Sequence, residues 1–316
     1  MLIDSPHTLA VRHGAKTALL TILADGGPAV GFGHVGRCLA IWEELEGVAA
    51  FAVGDPDVGH RLKALGVPLA PPDARTPVLL VDRRQPTSAA ELRGLRAGER
   101  RVCLLDDPGK GRAGADLLVD PPTGADWPAT SVPRLAGFEH ALLRRDVRRA
   151  AQRPGEGVGV LISMGASDPE GLTPALAAAL QSAGVPALSV LGPLYRGARP
   201  AGAALVDPRE WPRVLAGAEL LVGRFGHTLL EAAHLGTPAL AIACGEPAAR
   251  EAAAFAAHGT AEAVEVSGPG DAARVAARAL ALLGDPARLA AMGRRGRELV
   301  DGRGAERVAA ALLELA

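Results

Sequence analysis

The sequence predicts an α/β protein whose two halves each form a parallel sheet covered by helices. Three observations indicate this class. Short apolar strands alternate with amphipathic helix patterns along both halves. Glycine-rich turns join several of these strands to the helices that follow them. The length of 316 residues also fits two domains of roughly 100–200 residues each.

The first half begins with a continuously apolar strand at 16–24, as expected for a strand that is covered on both faces. A glycine loop follows, and then a helix whose apolar residues recur at helical spacing from Val35 to Leu45. The other strands of this half are predicted at 48–54, 77–82, 101–107 and 116–121, and its other helices at 57–66 and 87–98.

The second half restarts the alternation with a strand at 157–165. The helix after it, 168–184, has Pro169 near its first position and Gly184 past its end. Further strands are predicted at 186–192, 219–223 and 238–244, and further helices at 209–218, 227–236, 271–285, 286–300 and 305–315.

A charged stretch with Pro and Gly and no apolar periodicity separates the halves. We predict an N-terminal tail at 1–16, a first domain at 17–147, a linker at 148–156 and a second domain at 157–302. The last helix, 303–316, can pack back on the first domain. Ligands of open α/β sheets lie beyond the carboxyl ends of the strands, so a site is expected in the cleft between the domains.

Composition narrows the classes of partner. The net charge of -1 disfavours nucleic-acid binding through bulk electrostatics. No apolar run approaches the ~20 residues of a membrane span, so a cytoplasmic protein is expected. The three cysteines lie far apart without a C-x-x-C pair, which favours buried thiols over a metal site. The sequence leaves the oligomeric state open.

The loop "GFGH" raises the first question of chemistry. Gly31 and Gly33 let the backbone approach a bulky anion, and the free N–H groups of the helix start favour negative charge. His34 lies in the first turn, where a neutral imidazole can act as a general base. A helix cap or a surface residue is an equally good interpretation. A dinucleotide site is a lesser alternative, because Asp55 is only an approximate match to the expected acidic residue.

A second constellation begins where a strand ends, at "GRFGHTLLEAAHLG". Gly226, His227 and Thr228 begin a helix there, and their N–H and hydroxyl groups suit a phosphate. Glu231 lies one turn further on the same face, where its two oxygens suit the hydroxyls of a ribose. A capping box between Thr228 and Glu231 is the alternative. A metal site with His234 is a weaker one.

Two more turns follow strands. In "SMGASDPE", Gly165 and Ser167 are predicted near a bound nucleotide, and Asp168 is predicted as a helix cap. In "LLDDP", Asp106 and Asp107 are adjacent and point to opposite faces of a strand. They are therefore interpreted as a turn and a cap rather than as an acid–base pair.

Taken together, the motifs resemble a known family. The segments "ADGGPAVGFGHVGRCLAI", "VDRR", "LLDDP", "LAGFEHALLRRDV", "LISMGASDPEGLT" and "GHTLLEAAHLGTPALAI" occur in the order and spacing of the UDP-sugar hydrolases of the pseudaminic-acid pathway and of spore coat polysaccharide biosynthesis protein G. The resemblance covers about 17–264. It implies the glycosyltransferase-B fold, in which two Rossmann-like domains face a cleft.

The resemblance also implies roles. His34 matches the histidine that activates or positions the attacking water, with Gly31, Gly33 and Arg37 in the loop over the sugar and phosphate. Glu231 matches the ribose carboxylate. Gly226, His227 and Thr228 would lie at the diphosphate. No cofactor and no metal are needed for UDP to leave the anomeric carbon.

The sugar-reading positions depart from the family. Arg84 stands where the family has a tyrosine, Glu246 stands near its Asn-Gln pair, and Gly165-Ala166 replaces a double glycine. The nucleotide half is thus retained and the sugar half is changed. The first hypothesis is a UDP-sugar hydrolase of cell-surface polysaccharide or nonulosonate-type sugar biosynthesis. A glycosyltransferase that uses a hydroxyl acceptor and a non-catalytic nucleotide-sugar binder are the alternatives.

Overall fold

The computed structural model describes residues 12–13, 16–27, 30–45, 47–71, 73–96, 98–122, 130–151 and 157–316. The strands are β1 (Arg12–His13), β2 (Lys16–Thr17), β3 (Leu20–Ala24), β4 (Ala49–Ala52), β5 (Val78–Asp82), β6 (Arg101–Leu105), β7 (Leu117–Asp120), β8 (Arg134–Ala136), β9 (Val160–Ser163), β10 (Ala187–Ser189), β11 (Leu220–Arg224), β12 (Ala239–Cys244) and β13 (Ala261–Val266).

The α-helices are α1 (Gly33–Glu44), α2 (Pro56–Ala64), α3 (Ala89–Leu95), α4 (Arg145–Ala150), α5 (Leu172–Ser182), α6 (Trp211–Ala216), α7 (His227–Leu235), α8 (Glu246–Ala256), α9 (Ala272–Leu283), α10 (Pro286–Leu299) and α11 (Gly304–Glu314). Short 3₁₀ helices lie at 110–114, 138–140 and 269–271. Among the described residues, no helix is both long enough and apolar enough to cross a membrane.

The chain forms two compact units. Unit 1 contains residues 1–121, 126–144 and 303–316, and unit 2 contains 122–125 and 145–302. Each unit has one parallel sheet, with strand order β4-β3-β5-β6-β7-β8 in unit 1 and β10-β9-β11-β12-β13 in unit 2. β1 and β2 form a separate antiparallel pair.

The core of unit 1 lies against its sheet. Ile22, Phe51 and Leu80 come from three neighbouring strands and are fully buried. α11 belongs to this core because it buries an apolar stripe that includes Val308 and Leu312, and it packs against α1. The end of the chain therefore completes the unit that the beginning of the chain forms.

The predicted linker is wrong at its start. Residues 145–150 form α4, which belongs to unit 2, because Val147 and Ala150 lie three residues apart on one buried face. The rest of the predicted linker, apart from residue 151, lies outside the described residues, as do residues 1–11 of the predicted tail.

The helix predicted from 168 begins later, so Pro169 is not its first residue. α5 starts at Leu172, because Asp168 (φ 48°) and Gly171 (φ 65°) adopt left-handed conformations that interrupt a right-handed helix. The sequence reading also lacked α8, β8 and β13. β13 alternates between buried and exposed residues because it is an edge strand, a pattern unlike the continuous apolar runs of the inner strands. Cys38 and Cys103 are buried as predicted, and Cys244 is half-buried.

Candidate functional site

The first polar site lies where the strand order of unit 1 reverses, between β3 and β5. In an open parallel sheet this switch point is where ligands bind, beyond the carboxyl ends of the strands. β3 leads through the glycine loop into α1, and β5 ends at Asp82. The two elements place His34 against this carboxylate, with His34 Nδ1 2.6 Å from Asp82 Oδ1.

The contact with Asp82 determines the tautomer of His34. A carboxylate oxygen that is ionised only accepts hydrogen bonds, so Nδ1 must carry the proton at this distance. Arg37 Nη2 lies 3.2 Å from the same nitrogen, and it finds no lone pair there once Nδ1 is protonated. Nε2 of His34 then has the lone pair, on a side chain that is 21% exposed. A base held in this way by a buried carboxylate can accept a proton from a hydroxyl or a water.

The carboxylate of Asp82 is fully buried and has several donors. Arg37 donates to it from Nε (2.7 Å) and from Nη2 (2.6 Å), and the Cys38 thiol donates at 3.4 Å. Burial alone would raise the pKa of Asp82, but the charge and hydrogen bonds of Arg37, together with those of His34, lower it to about 2. Asp82 is therefore ionised at any physiological pH.

Arg37 connects this pair to a second carboxylate. Its Nη1 donates to Asp106 Oδ2 at 2.7 Å, so one guanidinium bridges the ends of β5 and β6. The sequence analysis placed Arg37 over sugar and phosphate, whereas in the structure three of its N–H groups are directed to Asp82 and Asp106. Both carboxylates reach this guanidinium because β5 and β6 end at the same edge of the sheet.

The two aspartates of "LLDDP" have separate roles: Asp107 serves the turn as predicted, but the predicted helix cap is wrong, because Asp106 accepts from Arg37. Asp107 is buried and accepts from the backbone N–H groups of Thr87 (3.0 Å to Oδ2) and Gly109 (2.7 Å to Oδ1). Its role is to satisfy the turn. Asp106 instead faces Arg37 and has a left-handed backbone (φ 52°).

The start of α1 is open to a ligand. Its N-cap residue, Phe32, provides no side-chain hydrogen bond, and Gly33 is exposed. Gly31 needs its positive φ of 86° for the turn that pairs it with Gly27. The interpretation of His34 as a helix cap is wrong, because its ring is directed to Asp82. The acidic residue that the dinucleotide alternative needs has another role, because Asp55 caps α2 by accepting from the N–H groups of Asp57 and Val58.

In unit 2, the start of α7 has no side-chain cap. Its N-cap is Gly226, an exposed glycine at φ 153° and ψ −162°, and His227 and Thr228 are the first two helical residues. The capping-box alternative is wrong, since Thr228 lies inside the helix and an N-cap residue must be non-helical. Backbone N–H groups at an uncapped helix start are suited to an anion.

Glu231 lies one turn into α7 and is buried. Its Oε2 accepts a hydrogen bond at 2.9 Å from the indole Nε1 of Trp211, the first residue of α6. The sequence analysis did not predict this partner. The weaker metal alternative fails here, because Glu231 faces Trp211 while His234 Nδ1 lies 2.9 Å from the carbonyl of Val300. Over the described ranges, no three His, Cys, Asp or Glu side chains are grouped to hold a metal ion.

The third predicted turn follows β9 and is closed by its own carboxylate. Asp168 accepts from the N–H groups of Leu172 (2.9 Å) and Thr173 (2.8 Å), which confirms its predicted capping role. The N–H groups at the start of α5 are thus already satisfied. Gly165 is exposed at φ 82°, and Ser167 is half-buried beside it.

The two predicted sugar-reading residues are exposed. Arg84 follows Asp82 by two residues, and its backbone N–H donates to Asp25 at 3.0 Å. Glu246 begins α8 and pairs with Arg250 at 3.2 Å along the helix surface. Asp82 and Asp106 are the site residues that the sequence reading left out. The signal for Asp82 was its place at the end of an apolar strand beside the glycine loop.

Comparison with known proteins gives the fold. No protein-family model matches the sequence, and no curated protein sequence matches it significantly. Solved structures do match over nearly the whole chain. MurG of Acinetobacter baumannii is 14% identical and has a TM-score of 0.61, with 93% of this chain and 99% of that chain covered.

Two further matches contain nucleotides. The spinosyn rhamnosyltransferase SpnG complexed with thymidine diphosphate is 16% identical with a TM-score of 0.65, covering 92% of this chain and 99% of that one. Arabidopsis thaliana UGT89C1 complexed with UDP is 13% identical with a TM-score of 0.59, at the same coverages of 92% and 99%. With its two parallel-sheet α/β units, the chain has the glycosyltransferase-B fold.

Proposed function

We propose that the protein is an enzyme that transfers a sugar from a nucleoside diphosphate sugar to a hydroxyl acceptor, with His34 as the general base. The observation that carries this proposal is the pairing of His34 with the buried Asp82 at the switch point of unit 1. Solved structures of the same fold that carry UDP or thymidine diphosphate support the class of donor.

The proposed reaction is a displacement at the anomeric carbon of the donor sugar. Nε2 of His34 takes the proton of the acceptor hydroxyl as its oxygen bonds to the anomeric carbon. The bond from that carbon to the diphosphate oxygen breaks, and the electron pair leaves with the nucleoside diphosphate. Asp82 accepts the hydrogen bond from Nδ1 and so orients the imidazole of His34. In unit 2, the uncapped start of α7 at Gly226, His227 and Thr228 is proposed to bind the diphosphate.

Hydrolysis is the second candidate. The combination of "GFGHVGR" with "GHTLLE" favours it, because this pair of motifs resembles that of UDP-sugar hydrolases. Water would replace the acceptor hydroxyl, and His34 would have the same role. The polysaccharide or nonulosonate context is part of this second proposal, and so is recognition of the sugar by Arg84 and Glu246.

Nucleotide release from a panel of UDP-, TDP-, GDP- and CMP-sugars, with and without a mixture of sugar and alcohol acceptors, separates the candidates. Release that requires an acceptor supports transfer, and release without one supports hydrolysis. His34→Ala is expected to lower either rate about 10²–10⁴-fold. His60→Ala, an exposed histidine of α2, is the matched control and should leave the rate unchanged. Wild-type rates in His34→Ala, or tight nucleotide binding with no turnover, would contradict the proposal.

We also propose that Glu231 binds the ribose, with Trp211 holding one of its oxygens. Glu231→Gln keeps an acceptor for the indole but removes the charge, so UDP binding should weaken about tenfold. Trp211→Phe removes the indole donor alone and should weaken binding less. Calorimetric titration with UDP measures both. Full-strength binding by Glu231→Gln would exclude the ribose role.

A further inference from the structure

Arg37 neutralises the carboxylate that holds His34. Its Nε and Nη2 donate to the two oxygens of Asp82 at 2.7 and 2.6 Å, a bidentate pair in which Asp82 is fully buried and Arg37 is 13% exposed. Paired in this way, Asp82 and Arg37 together carry no net charge. A neutral pair orients the imidazole of His34 but offers little electrostatic stabilisation to the imidazolium that forms when His34 takes a proton.

Asp106 supplies the missing negative charge. Its Oδ2 accepts from Arg37 Nη1 at 2.7 Å, on the far end of the same guanidinium. The group formed by Asp82, Arg37 and Asp106 therefore carries a net charge of minus one beside His34. The left-handed backbone of Asp106 turns this side chain toward Arg37, while the next residue, Asp107, is used for the turn.

We propose that Asp106 is a positioning residue that acts through Arg37, restoring the negative charge that allows His34 to work as a base. The catalytic consequence of this inference rests on the proposed function. The effect of Asp106 on the charge beside His34 is a property of the ligand-free protein. The relay runs from Asp106 through Arg37 and Asp82 to Nδ1 of His34.

The other charged groups around this relay interact with partners of their own. Asp120, at the end of β7, is paired with Arg112 (2.7 Å) and Arg134. Burial raises the pKa of Cys38, so its thiol stays neutral. Groups on the neighbouring elements are directed elsewhere by the contacts the structure gives: Asp25 to the N–H of Arg84, Arg83 to Glu91, Arg303 to Glu306, and Arg307 to the carbonyl of Glu139.

A structural role and an electrostatic role predict opposite costs for removing the charge. Burial raises the pKa of Asp106, although Arg37 opposes this effect, so keeping Asp106 ionised at neutral pH works against folding. Asp106→Asn should therefore leave the unfolding midpoint in urea unchanged or higher. A carboxylate whose purpose was structural would show a clear loss.

The test follows the ring protons of His34 by NMR in the full-length protein, with His34→Gln to assign the signal. In Asp106→Asn, the titration midpoint of this ring should move to lower pH by about half a unit to one unit, since a negative charge favours imidazolium. Asp106→Glu keeps the charge and should restore much of the wild-type midpoint. Asp116→Asn is the matched control, because Asp116 is also a largely buried carboxylate of unit 1 paired with two arginines, Arg96 and Arg101.

Activity is the second readout. Asp106→Asn should lower kcat several-fold with an unchanged KM, because the base is weakened and no ligand contact is lost. An unmoved His34 midpoint in a folded Asp106→Asn protein would overturn the inference. A shifted midpoint in a protein without transferase or hydrolase activity would instead uphold the relay and reject the proposed function.

Discussion

The two units share a sheet topology, yet they use the same helix start differently. In each unit, the first strand of the sheet leads into a helix where the strand order reverses: β3 into α1, and β9 into α5. The start of α1 has no side-chain cap, whereas the first N–H groups of α5 donate to the carboxylate of Asp168. The topology provides the position, and one side chain decides whether a ligand can use it.

The second difference concerns charge. Unit 1 concentrates three buried or half-buried charges and a histidine at its switch point, joined through Arg37. In unit 2 the third strand ends at Arg224, which pairs with Glu170, and the next helix, α7, has no side-chain cap and begins after the glycine Gly226. This difference supports the two proposals, proton transfer by His34 in unit 1 and diphosphate binding at the start of α7 in unit 2.

The largest expected effect is the loss of the Asp82 charge. Asp82→Asn leaves the half-buried Arg37 with Asp106 as its remaining carboxylate, and we expect about 3 kcal/mol of destabilisation and a rate loss of about 10³–10⁴. Urea unfolding and nucleotide release measure these. The control in unit 2 is Glu170→Gln, whose ion pair is about one-third exposed and should be worth at most about 1 kcal/mol. Equal losses in the two variants would remove the contrast between the units.

Low pH should remove the stabilisation that the Asp82 carboxylate contributes. Because the pKa of Asp82 lies at about 2 in the folded protein against an ordinary 3.8, its stabilisation is complete above about pH 4. It is lost as the pH falls from about 4 to 2, and amounts to roughly 2 kcal/mol. The difference in unfolding free energy between wild type and Asp82→Asn should therefore shrink by that amount in acid. A difference that stays constant down to pH 2.5 would contradict the low pKa.

Removing the cap of α5 tests why that helix start differs from α1. Asp168→Ala leaves two backbone N–H groups without their acceptor and should cost about 2 kcal/mol in thermal or urea unfolding. Asp168→Asn keeps one acceptor and tolerates the left-handed backbone, so it should cost less than about 1 kcal/mol. Similar losses in the two variants would mean that the cap is not the cause.

The smallest effects compare two exposed glycines at the uncapped helix starts. An added Cβ meets no atom within 4 Å at either Gly226 or Gly33, so packing does not distinguish them. Gly226 has φ 153° and Gly33 has an ordinary φ, so Gly226→Ala should cost about 1 kcal/mol and Gly33→Ala within about 0.5 kcal/mol. Matching unfolding midpoints would show that the backbone of Gly226 is not strained by a side chain.

Local patterns predicted much of this molecule. The inner strands were found because strands covered on both faces must be apolar throughout, and β5, β6, β11 and β12 are such runs. The edge strand β13 and the alanine-rich helix α8 were missed, because one has an exposed face and the other has Phe255 as its single large apolar side chain. His34 was singled out by its glycine loop, while Asp82 and Asp106 lie 48 and 72 residues further along the chain, beyond the reach of any local pattern.

The sequence by itself determined two α/β halves, the glycine loops and the helix starts, since each depends on residues that are neighbours in the chain. Only the tertiary structure decided which groups His34, Arg37 and Glu231 meet. Parallel strands that are distant in sequence end at one edge of a sheet, and that edge brings Asp82 and Asp106 to the same guanidinium. In the same way, the packing of α6 beside α7 gives Glu231 the indole of Trp211 as its partner.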